Sequence, residues 1–210
     1  MKGLFYKEAR CLWQYGKSYI LLVVIFFGLA FLNGGSEGAN PLWLLYPVFF
    51  VGSLPASLLS ADEKDGWLTY CDTLPIGRRQ IVAVKYVASA ALTTAIVVLA
   101  LLIGALAGRL AVTGGAAAPL PVLVPLLLAV GLGVPALMYP VMFRFGATKG
   151  RAVYMAVVMV AAATCAVLMT SESVSGALDA LPILPVIVAA AAVFIGSWAL
   201  SVKWFEGREL

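Results

Sequence analysis

The stretch DEKDGWLTYCDTLPIGRRQIVAVKY, residues 62–86, decides how the rest of the chain is read. It carries Asp62, Glu63, Lys64, Asp65, Asp72, Arg78, Arg79 and Lys85, eight of the 24 charged residues in 210. On either side lie long apolar runs, PLWLLYPVFFVGSLPASLLS before it and VASAALTTAIVVLALLIGALA after it. A charged segment between two runs of membrane-spanning length is the mark of a loop at a bilayer surface.

Composition points the same way. The chain is 63% hydrophobic and 11% charged, with a mean hydropathy of +1.02; a soluble domain averages about 25% charged residues. At this length it reads as one membrane domain, residues 1–210. The net charge of +4 sits in short clusters at the ends of apolar runs, which argues against nucleic-acid binding. Cys11, Cys71 and Cys165 form neither a ligand pattern nor a disulfide framework, and with no histidine there is no His-based metal site or general base. No small-residue cleavage site clearly follows the first apolar run, so that run reads as a retained anchor.

Six segments have spanning length: about 17–35, 41–60, 85–112, 120–142, 151–169 and 182–202. Period-two alternation is absent, which argues against a β-barrel. With six spans, 13 of the 14 basic residues fall on one side and only Arg109 lies near the other. The positive-inside rule then places both termini in the cytoplasm. Trp13, Trp43, Trp198 and Trp204 lie near predicted span ends, as an interfacial aromatic belt does.

Two segments outside the spans read as helices. In residues 1–16, Met1, Leu4, Phe5, Ala9, Cys11 and Leu12 share one side at 100° per residue, and Lys2, Lys7, Arg10 and Gln14 the other, the pattern of an amphipathic interfacial helix. Glu8 falls inside the apolar arc. It either pairs with a nearby base or meets a partner protein. In the loop, Ser60-Ala-Asp-Glu63 matches a capping box, so a helix is expected to start near Ala61 and to stop at Leu74-Pro75. Pro75-Ile-Gly77 is then a turn, and Arg78-Arg79 open the helix leading into the third span. The loop helix, with Trp67, Leu68 and Cys71 on it, reads either as an interfacial helix in the headgroups or as a docking helix for a cytoplasmic protein. The expected fold is therefore all-α and integral to the membrane: six spans, an N-terminal amphipathic helix and a short cytoplasmic helix between spans two and three.

The leading amphipathic helix, the six spans and the acidic segment followed by TLPIGRRQIVAVKY resemble permeases of the ABC type-2 exporter family, and in particular its small six-span branch with the exporters of phenol-soluble modulins. Glu63, Leu74-Pro75, Arg78-Arg79 and Lys85 match residues that recur in that family's first cytoplasmic loop, and SVKWFEGREL resembles its basic, aromatic tail. The resemblance implies half of a transmembrane dimer, identical or heterologous, seated on separate cytoplasmic ABC ATPase subunits that hold the ATP and Mg. It implies ATPase docking or coupling through Glu63, Trp67, Leu68, Tyr70, Leu74, Pro75, Arg78, Arg79 and Lys85, with Leu4, Phe5, Glu8 and Leu12 on an elbow helix. It implies export of an amphipathic or antimicrobial peptide across a bacterial cytoplasmic membrane. No GxxxxGK[ST] phosphate loop is present; GATKGR at 146–151 lacks the spacing. The chain itself is thus expected to be no enzyme and to carry no catalytic residue, cofactor or metal.

Apart from Lys17, Lys85 and Arg151, which open their spans, Arg109 is the only charged residue within the expected spans, which disfavours an ion-coupled carrier. Gly104 to Gly108 is a GxxxG pattern that fits a dimer interface or ordinary packing. Pro47, Pro55, Pro125, Pro135 and Pro140 allow kinks, and Gly52, Ser53, Pro55 and Ser57 fit a path lining. The alternative to a transporter is a small membrane scaffold or peptide-immunity protein that moves nothing itself.

Overall fold

The computed structural model describes residues 2–33, 42–71, 73, 77–110, 120–146, 149–150, 152–153, 155–156, 159 and 183–207. Six helices organise them: α1 (Lys2–Asn33), α2 (Leu42–Lys64), α3 (Trp67–Cys71), α4 (Arg78–Leu110), α5 (Leu120–Phe145) and α6 (Ile183–Glu206). All but α3 are long and apolar enough to cross a membrane. Of the expected fifth span, 151–169, only residues 152, 153, 155, 156 and 159 are described, and these are helical.

The helices overrun their expected boundaries at the charged end. Charges mark where burial in hydrocarbon becomes expensive, but they do not stop a helical backbone. Nothing between Lys2 and Asn33 breaks the helix, so the expected amphipathic helix 1–16 and the first span are one helix of 32 residues. Likewise α2 runs past Ser60 to Lys64, and α4 starts at Arg78 rather than Lys85.

The bundle centres on α2, α4 and α5. Over half of the apolar window of α2 and of α5 is buried, against 6% for α1 and 11% for α6, which are peripheral. α4 packs on α1, α2, α5 and α6. The start of α1, the end of α2, the start of α4 and the ends of α5 and α6 meet at one end, called here the basic end. Contacts between Ala136 and Ser197 and between Phe143 and Phe205 keep one register, so α5 and α6 run parallel.

Two apolar clusters fill the interior. One, at the basic end, gathers Leu59, Leu68, Val82, Tyr86, Met142, Phe143 and Phe205. The other gathers Phe27, Val48, Val51, Ile96, Val97, Leu123 and Leu127. Between them α5 approaches α4 and α2 most closely at Gly131. A Cβ there would lie 2.5 Å from Thr93 Cγ2 and 3.0 Å from Val48 Cγ1, so only glycine fits.

Several sequence expectations change with this packing. Gly104 does not mark a free dimer face, since a Cβ on it would meet Leu44 Cδ1 of α2 at 3.0 Å. Gly52 and Pro55 are buried against the bundle rather than lining a path. Ser53 Oγ donates to the Phe50 carbonyl and Ser57 Oγ bonds Tyr19 Oη. The Arg109 side chain lies outside the described residues.

The prolines of α5 leave a definite trace. A proline removes the hydrogen bond to the carbonyl four residues earlier. Pro135 thereby frees the Gly131 carbonyl, and Thr93 Oγ1 of α4 donates to it at 3.2 Å. Pro140 frees the Ala136 carbonyl, and Ser197 Oγ of α6 donates to it at 2.5 Å. Hydroxyls from neighbouring helices thus satisfy carbonyls that lipid could not.

Candidate functional site

The loop between α2 and α4 is shorter in helix than its sequence suggests. A single helix over Ala61–Thr73 opened by a capping box at Ser60–Glu63 is not what forms. Those four residues lie inside α2, because S-x-x-E suits a helix interior as well as a start. The helix ends where glycine first allows the left-handed conformation: Gly66 has φ +67°, Asp65 N–H donates to Ala61 O at 2.9 Å and Gly66 N–H to Glu63 O at 3.2 Å. That is a glycine C-cap. The chain then forms α3, five residues long, and Thr73 closes it with backbone and side-chain bonds to the Tyr70 carbonyl.

Leu68 and Cys71 point from α3 into the basic-end core. Trp67 is half-buried, with Lys7 Nζ 5.0 Å above its ring. Tyr70 stacks beside Trp67 but remains 54% exposed.

Beneath α3 lies a buried ionic cluster. Lys85 of α4 is 3% exposed, and its Nζ donates to Glu8 Oε1 of α1 at 2.8 Å and to Asp62 Oδ2 of α2 at 2.5 Å. Lys7 completes it with an ion pair to Asp62 and an approach of 3.7 Å to Glu8. Two ammonium groups meet two carboxylates, so the cluster is neutral overall. A neutral, fully bonded set is the condition under which buried charge is tolerated, and removing one member leaves an uncompensated charge.

The cluster sits at one membrane face. From Glu8 to Asn33 and from Lys85 to Leu110 each helix runs about 38 Å at roughly 1.5 Å per residue. That alone exceeds a hydrocarbon core of about 30 Å. The charges are buried by protein at headgroup depth, not at the midplane.

Polar contacts carry the arrangement across to α5 and α6. Tyr139 Oη donates to the Lys85 carbonyl at 3.1 Å. Tyr86 Oη lies 2.7 Å from both Ser197 Oγ and Ser201 Oγ, and Ser197 caps the carbonyl freed by Pro140. Arg78 Nη1 donates to the Phe205 carbonyl at 3.1 Å, and the Arg79 guanidinium lies 5.2 Å from the Trp198 ring. Every long helix is therefore tied at this end to α4.

A family model described as ABC-2 family transporter protein matches residues 3–206, nearly the whole chain. The chain belongs to the ABC-2 transporter family. No curated protein and no solved structure matches it. As a multi-pass membrane permease subunit, it carries the described cluster within the matched region.

In this ABC-2 permease the expected coupling residues divide into three groups. Lys85, Leu68, Glu8 and Leu4 are buried. Lys85 therefore presents nothing to a partner in this arrangement. It organises three helices instead. Glu8 pairs with Lys85, and of the arc that carries it Leu4 is buried, Cys11 and Leu12 are half-buried, and Phe5 and Ala9 stay exposed. On the same helix Phe5, at 42% exposure, and Tyr6, at 71%, point outward, and Leu12 is half-buried. Trp67, Glu63 and Arg78 are partly accessible, Tyr70 and Arg79 exposed. Leu74 and Pro75 lie outside the described residues.

Sequence reasoning missed the role of Asp62, which it placed in the capping box of a loop helix, and of Lys7, Tyr86, Tyr139, Ser197 and Ser201. One signal was present for the first two. An acid in an apolar arc, Glu8, and a lysine seven residues inside an otherwise apolar helix, Lys85, ask for partners of opposite sign. The hydroxyl contacts left no pattern in sequence.

Proposed function

We propose that this permease is one half of a bacterial ABC exporter, working with a second permease subunit, identical or homologous, and with a separate cytoplasmic ATPase that holds ATP and Mg. The ATPase docks on the basic end. The observation that carries this reading is the convergence there of α1, α2, α4 and the short α3 on one neutral ionic cluster, under a rim of accessible Trp67, Tyr70, Glu63 and Arg79. A push on α3 would reach Leu68 and Cys71 in the core and, through Trp67 and Lys7, the cluster that ties α1, α2 and α4. An apolar centre with a charged rim suits a protein interface.

The chain then performs no chemistry, and its role is mechanical. Both termini are cytoplasmic, and the membrane has six crossings. The parallel run of α5 and α6 supports the sixth, since Phe145 and Ile183 lie at opposite ends of the bundle. The mostly apolar spans suit an amphipathic or antimicrobial peptide as cargo. A scaffold or immunity protein without transport is the competing reading.

The test is purification in mild detergent from the native locus with mass spectrometry of what accompanies the chain. A stoichiometric subunit carrying a phosphate loop is expected. In the assembled complex, Trp67→Ala and Glu63→Ala should leave the fold inserted and cut transport per ATP hydrolysed at least several-fold. A chain that comes down alone, with membrane ATPase activity unchanged by its deletion, would sink the transporter reading in favour of the scaffold. Normal coupled transport in both variants would move the docking site elsewhere.

A further inference from the structure

The ends of α5 and α6 hold a second feature, separate from the ionic cluster. The two helices finish side by side: the Phe143 and Phe205 rings are 5.0 Å apart, and the Arg144 guanidinium lies 4.7 Å from the Trp204 ring and 5.2 Å from that of Phe145. Between them opens a cleft of about 440 Å³ lined by Arg144, Lys203, Trp204 and Gly207.

The two cations in this cleft differ from those at the centre. Lys7 and Lys85 are matched by Glu8 and Asp62. Arg144 and Lys203 are both exposed, and among the described residues neither forms an ion pair, even with Glu206 one turn from Lys203. Two positive charges lining one cleft, with no carboxylate paired to them among the described residues, are an anion site, and a guanidinium 4.7 Å from an indole ring still has N–H donors for phosphate oxygens.

The depth and the flanks of the cleft narrow the anion. It lies at the end of two spanning helices, at headgroup level, beside a tryptophan of the kind found at that level. Leu137, two turns before Arg144 on the same face of α5, is 47% exposed, and Leu200, one turn before Lys203 and Trp204 on α6, is 39% exposed. Charge at the rim above an apolar track is the outline of an amphiphile. We infer that this cleft binds the phosphate of an anionic phospholipid, with an acyl chain along Leu137 and Leu200. The site fixes the ends of α5 and α6 to the membrane surface and does not depend on what the permease transports.

The test is native mass spectrometry of the full chain purified in detergent and titrated with phosphatidylglycerol or phosphatidylcholine. Wild-type protein should retain phosphatidylglycerol preferentially, one per chain. Arg144→Gln with Lys203→Gln should reduce that retention, about fivefold for each cation removed, while Lys64→Gln, an exposed lysine at the same end, should not. Equal retention of the two lipids, or of phosphatidylglycerol by wild type and the double variant, would overturn the site. Displacement of the lipid by inorganic phosphate at equal concentration would make it a site for free anions. Loss of the lipid when the native complex is assembled would assign the cations to an acidic partner surface. Circular dichroism checks that the double variant folds; should it not, Lys203→Gln alone, at an exposed position, carries the comparison.

Discussion

The two ends of the bundle are built by different means. At the basic end, α1, α2, α4, α5 and α6 are joined by ion pairs and hydroxyl bonds with defined partners: Lys85 with Glu8 and Asp62, Tyr139 with the Lys85 carbonyl, Tyr86 with Ser197 and Ser201. The cluster of Phe27, Val48, Val51, Ile96, Val97, Leu123 and Leu127 is, among the described residues, an apolar one. In lipid, apolar side chains gain little by leaving hydrocarbon for one another, so such a cluster holds by close packing alone. Among the described residues, the helices are thus registered at one end by directional bonds, whereas at the other they are held by apolar packing. An assembly that receives force at one end and opens at the other would use that asymmetry.

The comparison can be broken most severely at its centre. Lys85→Met should leave Lys7 alone against Glu8 and Asp62, so that one buried carboxylate charge goes uncompensated, a loss of about 3–5 kcal/mol. Fluorescence-detected size exclusion and thermal unfolding in detergent should show little folded protein. The quadruple change Lys7→Met, Glu8→Gln, Asp62→Asn, Lys85→Met should recover most of it, since a neutral replacement of the whole set of four leaves no stranded charge. A stable Lys85→Met single variant would mean that the cluster does not register the helices.

Next comes the waist between the two ends. Gly131→Val puts a side chain where Thr93 Cγ2 lies 2.5 Å from the Cβ position. Overpacking of this kind costs about 1–3 kcal/mol, read as a lower midpoint of thermal unfolding. An unchanged midpoint would show that α4 and α5 separate freely there.

The hydroxyl caps on the α5 carbonyls offer a finer probe. Ser197→Ala should cost about 0.6 kcal/mol, the average measured for hydrogen bonds within membranes, and no more than about 1.7. In a Pro140→Ala background the cost should fall, because the backbone then supplies its own donor to the Ala136 carbonyl. Additivity of the two changes in a double-mutant cycle would disconnect Ser197 from the proline.

The smallest effect belongs to the apolar end. Ile96→Val should cost about 0.5–1.5 kcal/mol, and it should add independently to Ser197→Ala. Strong coupling between those two positions would mean that the ends are not separate units after all.

Much of the architecture was legible in residues 62–86 and their surroundings. Charge between apolar runs, and basic residues gathered at alternate gaps, foretold helices that cross and the end at which their charged termini meet. Five of the expected spans appear as helices with longer boundaries. The loop helix was misread because a capping box and an ordinary helix interior share the same letters. What stopped α2 was Gly66, whose φ of +67° only the fold reveals. Glu8 and Lys85 each announced a need for a counter-charge, but a sequence does not say which of ten acids or fourteen bases will answer.

By itself, the sequence determined the solvent of this protein and the periodic helices that solvent demands, because hydropathy and backbone hydrogen bonding act residue by residue along the chain. Tertiary structure alone decided the pairing of Lys85 with Glu8 and Asp62, the hydroxyls of Thr93 and Ser197 that serve the carbonyls freed by Pro135 and Pro140, and the meeting of Arg144 with Lys203. Each of those depends on which helix faces which, and that is set by close approach at positions such as Gly131, a property of two surfaces together and of neither one alone.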